Sequence, residues 1–98
     1  MNATLLGLQF DTNKYHKGIQ LVLDFKDYEL SVVQHDGSYG GTQGLYEIMV
    51  RDASGGVELP GITEPGDTVK GWLTLEDVSI ICKKLMSITG VEPVKVAI

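Results

Sequence analysis

Alternation of apolar and polar residues organises the first half of this chain, and a helical period organises its last third. Ile19, Leu21, Leu23 and Phe25 fall on one side of an extended segment, with Gln20 and Asp24 on the other, which predicts a half-buried strand over 19–25. Tyr28, Leu30 and Val32 repeat the pattern together with Gln34, so Lys26-Asp27 joins two strands in an antiparallel hairpin. Leu45 to Asp52 carries Tyr46, Ile48 and Val50 on one face and Leu45, Glu47, Met49 and Arg51 on the other, the pattern of a central or covered strand. Thr4 to Phe10 and Thr68 to Leu73 predict shorter strands, and Asp11 to Lys14 reads as turn chemistry.

From Thr74 the period changes. Leu75, Val78, Ile81, Cys82, Leu85 and Ile88 form an apolar stripe at helical spacing, with Glu76, Ser79, Lys83 and Ser87 away from it. Thr74 suits the N-cap, Glu76 and Asp77 the positive end of the helix dipole, Lys83 and Lys84 the negative end, and Gly90 the left-handed stop. After Pro93, Val94, Val96 and Ile98 alternate with Lys95 and Ala97, so the tail closes the sheet as an edge strand or pairs with another subunit. The expected fold is α+β: one domain over 1–98, with an antiparallel sheet of four to six strands and a single C-terminal helix packed on it. An apolar tail of this kind favours a homo-oligomer.

Two connections hold most of the remaining glycine. His35 to Gly44 places Gly37, Gly40, Gly41 and Gly44 among an imidazole, a carboxylate, hydroxyls, a phenol and an amide. These glycines either satisfy turn dihedrals or bend the backbone into a cradle of N–H groups around a ligand. Ala53 to Asp67 carries Gly55-Gly56, Pro60-Gly61 and Pro65-Gly66 and reads as a long loop with at most a short edge strand at Val57 to Leu59.

Composition narrows the candidate chemistry. The formal charge is −5, and the eight cations, Arg51 alone among them an arginine, are scattered, which argues against a nucleic-acid duplex as partner. No apolar run is long enough to span a membrane, and Met1 to Phe10 does not have the form of a secretory leader. One cysteine, Cys82, on the apolar stripe, is expected to be a buried inert thiol in a reducing cytoplasm. No His, Cys, Asp and Glu spacing matches a metal set, with His16 far from His35, so neither metal nor cofactor is expected. His35 and Asp36 are strand neighbours that point apart, and Ser38 has no nucleophile elbow around it, which leaves a catalytic reading the weakest.

The candidate ligand groups are Ser38, Tyr39, Gly40, Gly41, Thr42 and Gln43 in the glycine loop, Tyr46 or Trp72 for stacking, and Arg51 or Lys70 for phosphate. Each has a plainer alternative: Arg51 as a surface charge or an ion pair with Glu47, Tyr46 and Trp72 as core or interface.

Over about residues 19 to 88, the segments S-Y-G (Ser38-Tyr39-Gly40), G-L-Y-E (Gly44 to Glu47) and G-W-L-T-L-E-D-V (Gly71 to Val78) resemble those of small hypothetical bacteriophage proteins. In these, a G-aromatic-L-T-x-E-D-V run opens a C-terminal helix. The resemblance implies a counter-defence protein of the host cytoplasm. Some phage proteins of this size are oligomeric sponges that sequester cyclic nucleotide or cyclic ADP-ribose signals without catalysis, and with the glycine loop and no catalytic constellation this is the leading expectation. Others bind a defence protein directly, as anti-CRISPR proteins do, for which Glu58, Glu64 and Asp67 are the candidate contacts on a basic host surface. A small hydrolase using His35 or Ser38 is the third reading.

Overall fold

The computed structural model describes residues 3–13 and 17–97; Lys14, His16 and Ile98, named above, lie outside them. It is α+β. β1 (Thr4–Leu5) and β2 (Leu8–Gln9) form a small hairpin of their own. The main sheet runs β3 (Asp11–Asn13), β4 (Gly18–Asp24), β5 (Glu29–Gln34), β6 (Tyr46–Asp52) and β7 (Gly55–Gly56), all antiparallel. β8 (Val69–Leu73) also pairs with β6, and β9 (Val94–Val96) with β4, while α1 (Leu75–Thr89) links these last two strands.

Among the described residues the sheet has seven strands, more than the four to six expected, because both of its flanks are shared. β3 takes Gly18 to Gln20 of β4 and β9 takes Val22 to Asp24. On the other flank β8 takes Tyr46, Ile48 and Met49 of β6, and β7 takes Arg51 and Asp52.

The core forms where the alternation predicts. Leu21, Leu23, Leu30, Val32, Ile48 and Val50 are fully buried on one face, and α1 closes over it with Val78, Ile81, Cys82 and Leu85. Thr74 caps this helix through a reciprocal pair: the Asp77 N–H donates to Thr74 Oγ1 at 3.1 Å and the Thr74 N–H donates to Asp77 Oδ2 at 3.0 Å. Gly90, at φ 69°, ends it by donating to the Met86 carbonyl at 2.8 Å.

Several sequence expectations change. Thr4 to Phe10 is two strands because Leu6 (φ 53°) and Gly7 (φ 75°) turn the chain back. Asp11 to Asn13 is a strand: Asp11 pairs with Lys95, and the buried Asn13 is satisfied by donating to Gln20. The short edge strand of the long loop is Gly55–Gly56 instead of Val57 to Leu59. That loop is pinned by Ile62, which is 2% exposed and joins the core. Ile88 leaves the apolar stripe at 53% exposed, because Met86 and Thr89 take the inward positions in the last turn. No basic residue occupies that last turn; Lys84 reaches sideways to donate to the Gly61 carbonyl at 2.9 Å. No helix among the described residues is long and apolar enough to cross a membrane.

Burial pushes the Cys82 thiol from its ordinary 9.0 up to about 12. The folded state therefore holds this proton more tightly than the unfolded chain, and stability falls as pH rises from 9.0 towards about 12. Cys82→Ala should remove that alkaline slope in urea unfolding midpoints between pH 8 and pH 11. The native thiol should resist a thiol reagent at pH 8 and react once unfolded.

Candidate functional site

The glycine loop is closed on itself. Ser38 is buried, its hydroxyl accepts the His35 N–H at 3.0 Å and donates to the His35 carbonyl at 2.8 Å, and its own N–H donates to that same carbonyl at 3.1 Å. The Gly37 N–H donates to His35 Nδ1 at 3.0 Å, and the Gly41 N–H to the Ser38 carbonyl at 3.1 Å. Gly40 (φ 86°) and Gly44 (φ 78°) bracket a single 3-10 turn over Gly41–Gln43, in which the Gln43 and Leu45 N–H groups both donate to the Gly40 carbonyl. The Tyr39 N–H donates to Glu47 Oε1 at 2.9 Å.

These bonds narrow the expectation of an open cradle: most of the loop amides, those of Ser38, Tyr39, Gly41 and Gln43 among them, already have partners within the fold. Ser38 and Gly41 are loop-closing residues, and a Cβ on Gly41 would collide with the His35 carbonyl. Thr42 and Gln43 stay exposed at the tip.

The aromatic candidates separate. Tyr46 is 6% exposed with its ring 5.5 Å from that of Phe10, so it is a core residue and not a stacking surface. Burial raises its phenol above the ordinary range, with a hydrogen bond to Gln34 acting in the opposite direction. Tyr39 and Trp72, by contrast, are 57% and 58% exposed.

Their backbones meet where the Trp72 N–H donates to the Tyr39 carbonyl at 3.1 Å. Gly71 and Gly40 make this approach possible: a Cβ on Gly71 would strike the Tyr39 side chain, and one on Gly40 would lie 2.9 Å from Leu45 Cβ and 3.2 Å from Trp72 Cα. β8 is bulged here, since Tyr46 opposes Leu73 while Ile48 opposes Lys70, giving β8 one residue more than β6 between the two pairs. Trp72 has φ 60°, a left-handed conformation that costs a bulky residue roughly 1–3 kcal/mol. At 58% exposed, its indole faces solvent.

The cationic candidates do not join this pair. Arg51 lies directly opposite Glu29 in the β5–β6 register and forms an ion pair with it, replacing the expected partner Glu47. It stands five residues along β6 from Tyr46, about 17 Å at strand rise, and so at the far end of the strand from the glycine loop. Lys70 Nζ pairs with Glu64 Oε1 at 3.1 Å. Both positive charges are compensated where they stand.

Two surface clefts were not legible beforehand. One, about 300 Å³, lies on the helix-free face and is lined by Asn13, Gln20, Ser31, Val33, His35, Glu47 and Met49. Asn13 Nδ2 donates to Gln20 Oε1 at 2.9 Å, and Gln20 Nε2 to Ser31 Oγ at 3.0 Å, a polar ladder across three strands. Glu47 also belongs to this cleft while its carboxylate holds the Tyr39 backbone, so the cleft runs to the foot of the aromatic pair. The other, about 630 Å³ and open, lies between the 26–27 and 53–54 turns and is lined by Asp24, Asp27, Glu29, Arg51 and Asp52 among others. Same-face alternation of Gln20, Ser31, Val33, Glu47 and Met49 is the signal that points to the first. Among the described residues no three His, Cys, Asp or Glu side chains come together to hold a metal ion.

Comparisons with protein-family models, with curated proteins and with solved structures find no match.

Gly71→Ala should destabilise the fold by about 1–3 kcal/mol in urea unfolding, the range for forcing atoms into a packed contact. Because Trp72 is the sole tryptophan, a change in native fluorescence should accompany that loss. Unchanged emission and stability would mean that Tyr39 does not lean on Gly71.

Proposed function

We propose that this protein is a non-catalytic binding module that contacts its partner through Tyr39 and Trp72. The observation that carries this reading is the exposed aromatic pair, held on a strained bulge by two glycines and a backbone hydrogen bond. Strain of this kind persists where the surrounding structure over-determines it, and it collects at contact sites. Tyrosine and tryptophan also dominate the energetic centres of protein interfaces.

The partner that fits is a protein with an apolar recess rimmed by basic residues. The chain carries a formal charge of −5. Asp36, Glu58, Glu64 and Asp67 are exposed, and of these Glu64 is paired with Lys70. Together with the likeness of its motifs to small phage proteins, this makes a direct inhibitor of a host defence protein, acting in the bacterial cytoplasm, the leading reading.

The polar cleft of about 300 Å³ at the foot of the pair favours a second reading, in which a nucleotide-derived signal stacks on Tyr39 or Trp72 and is sequestered intact. Lys70, two residues from Trp72, is already held by Glu64, which places this reading second.

Affinity capture from a bacterial host lysate, run with the wild-type chain and with Tyr39→Ala/Trp72→Ala, tests the proposal. The wild-type chain should retain a defence protein. The double variant, folded to the same urea midpoint within experimental error, should lose it by at least about 30-fold, the loss of one interface hot spot of about 2 kcal/mol. Equal capture by both would refute the aromatic contact. Calorimetry against cyclic dinucleotides and cyclic ADP-ribose isomers addresses the second reading, which fails if none produces heat.

A further inference from the structure

The solvent face of α1 carries a pattern that a solvated helix does not need. Ile80 and Ile88 are 46% and 53% exposed. Single exposed apolar residues are ordinary, but these two lie on one ridge of residues four apart, Glu76, Ile80, Lys84 and Ile88. Glu76 and Lys83 have no ion-pair partner among the described residues, and Lys84 meets only the neutral Gly61 carbonyl. The ridge therefore presents an uncompensated acid at one end, an uncompensated base towards the other, and isoleucine between them.

We propose that α1 is a self-complementary docking surface for a second copy of this chain, packed antiparallel about a two-fold axis at Ile80. In that arrangement Ile80 meets Ile80 of the second copy, and Glu76 of each chain faces Lys84 of the other. Asp77, which caps the helix through Thr74, and Lys83 lie off this ridge on its opposite flanks and take no part in the pairing. An isologous contact requires this self-complementarity, in which each residue's partner is fixed by the symmetry.

Charge selects the register as well as the direction. An antiparallel pair centred on Lys84 would set Ile80 against Ile88 twice and bury more apolar surface. It would also stack Lys84 directly on Lys84 of the second copy. A parallel pair would place acid on acid and base on base. Only the arrangement about Ile80 pairs every charge of the ridge with its opposite.

The fifteen residues of α1 span about 22 Å, and a shallow hollow of about 230 Å³ between Ile88, Lys84 and the Pro60–Ile62 segment widens the surface on one side. Such a contact lies at the small end of interface sizes, so the dimer is a micromolar, concentration-dependent one. It is centred on Ile80 and its test varies neither Tyr39 nor Trp72, so its outcome is distinguishable from that of the binding reading above.

Sedimentation equilibrium of the full chain from about 10 μM to 1 mM tests it. Wild type should show a monomer–dimer equilibrium, and Ile80→Glu should weaken it by roughly 100-fold, because the symmetric contact loses the residue twice. Glu76→Lys alone and Lys84→Glu alone should each weaken self-association, since each sets like charges face to face. An equimolar mixture of these two variants should recover wild-type association, because a mixed pair again sets each lysine against a glutamate. Circular dichroism and urea midpoints of the three variants exclude misfolding as the cause. A monomer throughout the range, a dimer indifferent to Ile80→Glu, or a mixture that fails to recover overturns the proposal.

Discussion

Two backbones that nearly touch govern this molecule: the glycine loop at Tyr39-Gly40 and β8 at Gly71-Trp72. Their approach needs a hydrogen where any other residue carries a Cβ, on both sides of the contact. The hydrogen bond from the Trp72 N–H to the Tyr39 carbonyl then fixes how far β8 can slide along β6, and the extra residue is accommodated as a bulge. Immediately beyond the bulge, Leu73 returns to the core and Thr74 caps α1. The same contact thus sets the exposed aromatic surface and the point where the helix begins.

The elements that could be read from the sequence are those whose burial has one clean period. β4, β5, β6 and α1 were legible because Leu21, Leu23, Leu30, Val32, Ile48 and Val50 alternate while Val78, Ile81, Cys82 and Leu85 follow the helical repeat. β3 was not, because Asp11 and Asn13 are turn-forming residues whose partners, Lys95 and Gln20, lie on other strands. The split of Thr4 to Phe10 was hidden because leucine seldom adopts the positive φ that Leu6 has in its turn. Ile62 went unread as core because it stands alone among prolines and glycines.

The site was legible as residues and not as an arrangement. Tyr39 and Trp72 were both singled out, yet nothing local ties the loop to β8, and a bulge leaves no periodic mark. Arg51 shows the opposite case. A sequence places it near Glu47 on its own strand, whereas pairing between strands puts Glu29 across from it. Cross-strand partners depend on register, and register is set by the whole sheet. Arg51, Lys70 and Lys95 each meet a carboxylate, Lys95 through Asp11 at 2.9 Å. Half-exposed pairs of this kind add little stability. Their effect is to neutralise Arg51, Lys70 and Lys95 where they stand, while Lys83 and Lys84 on α1 keep their charge without an ion pair.

The left-handed conformation of Trp72 has a consequence for how this position can drift over generations. Glycine would relieve the backbone, and the indole, being largely in solvent, gives little packing in return. Selection for folding alone would therefore be expected to erode tryptophan at position 72 towards glycine, and only a requirement for the indole itself would hold it there. Natural variation at this one codon thus separates what the fold asks for from what the cell asks for.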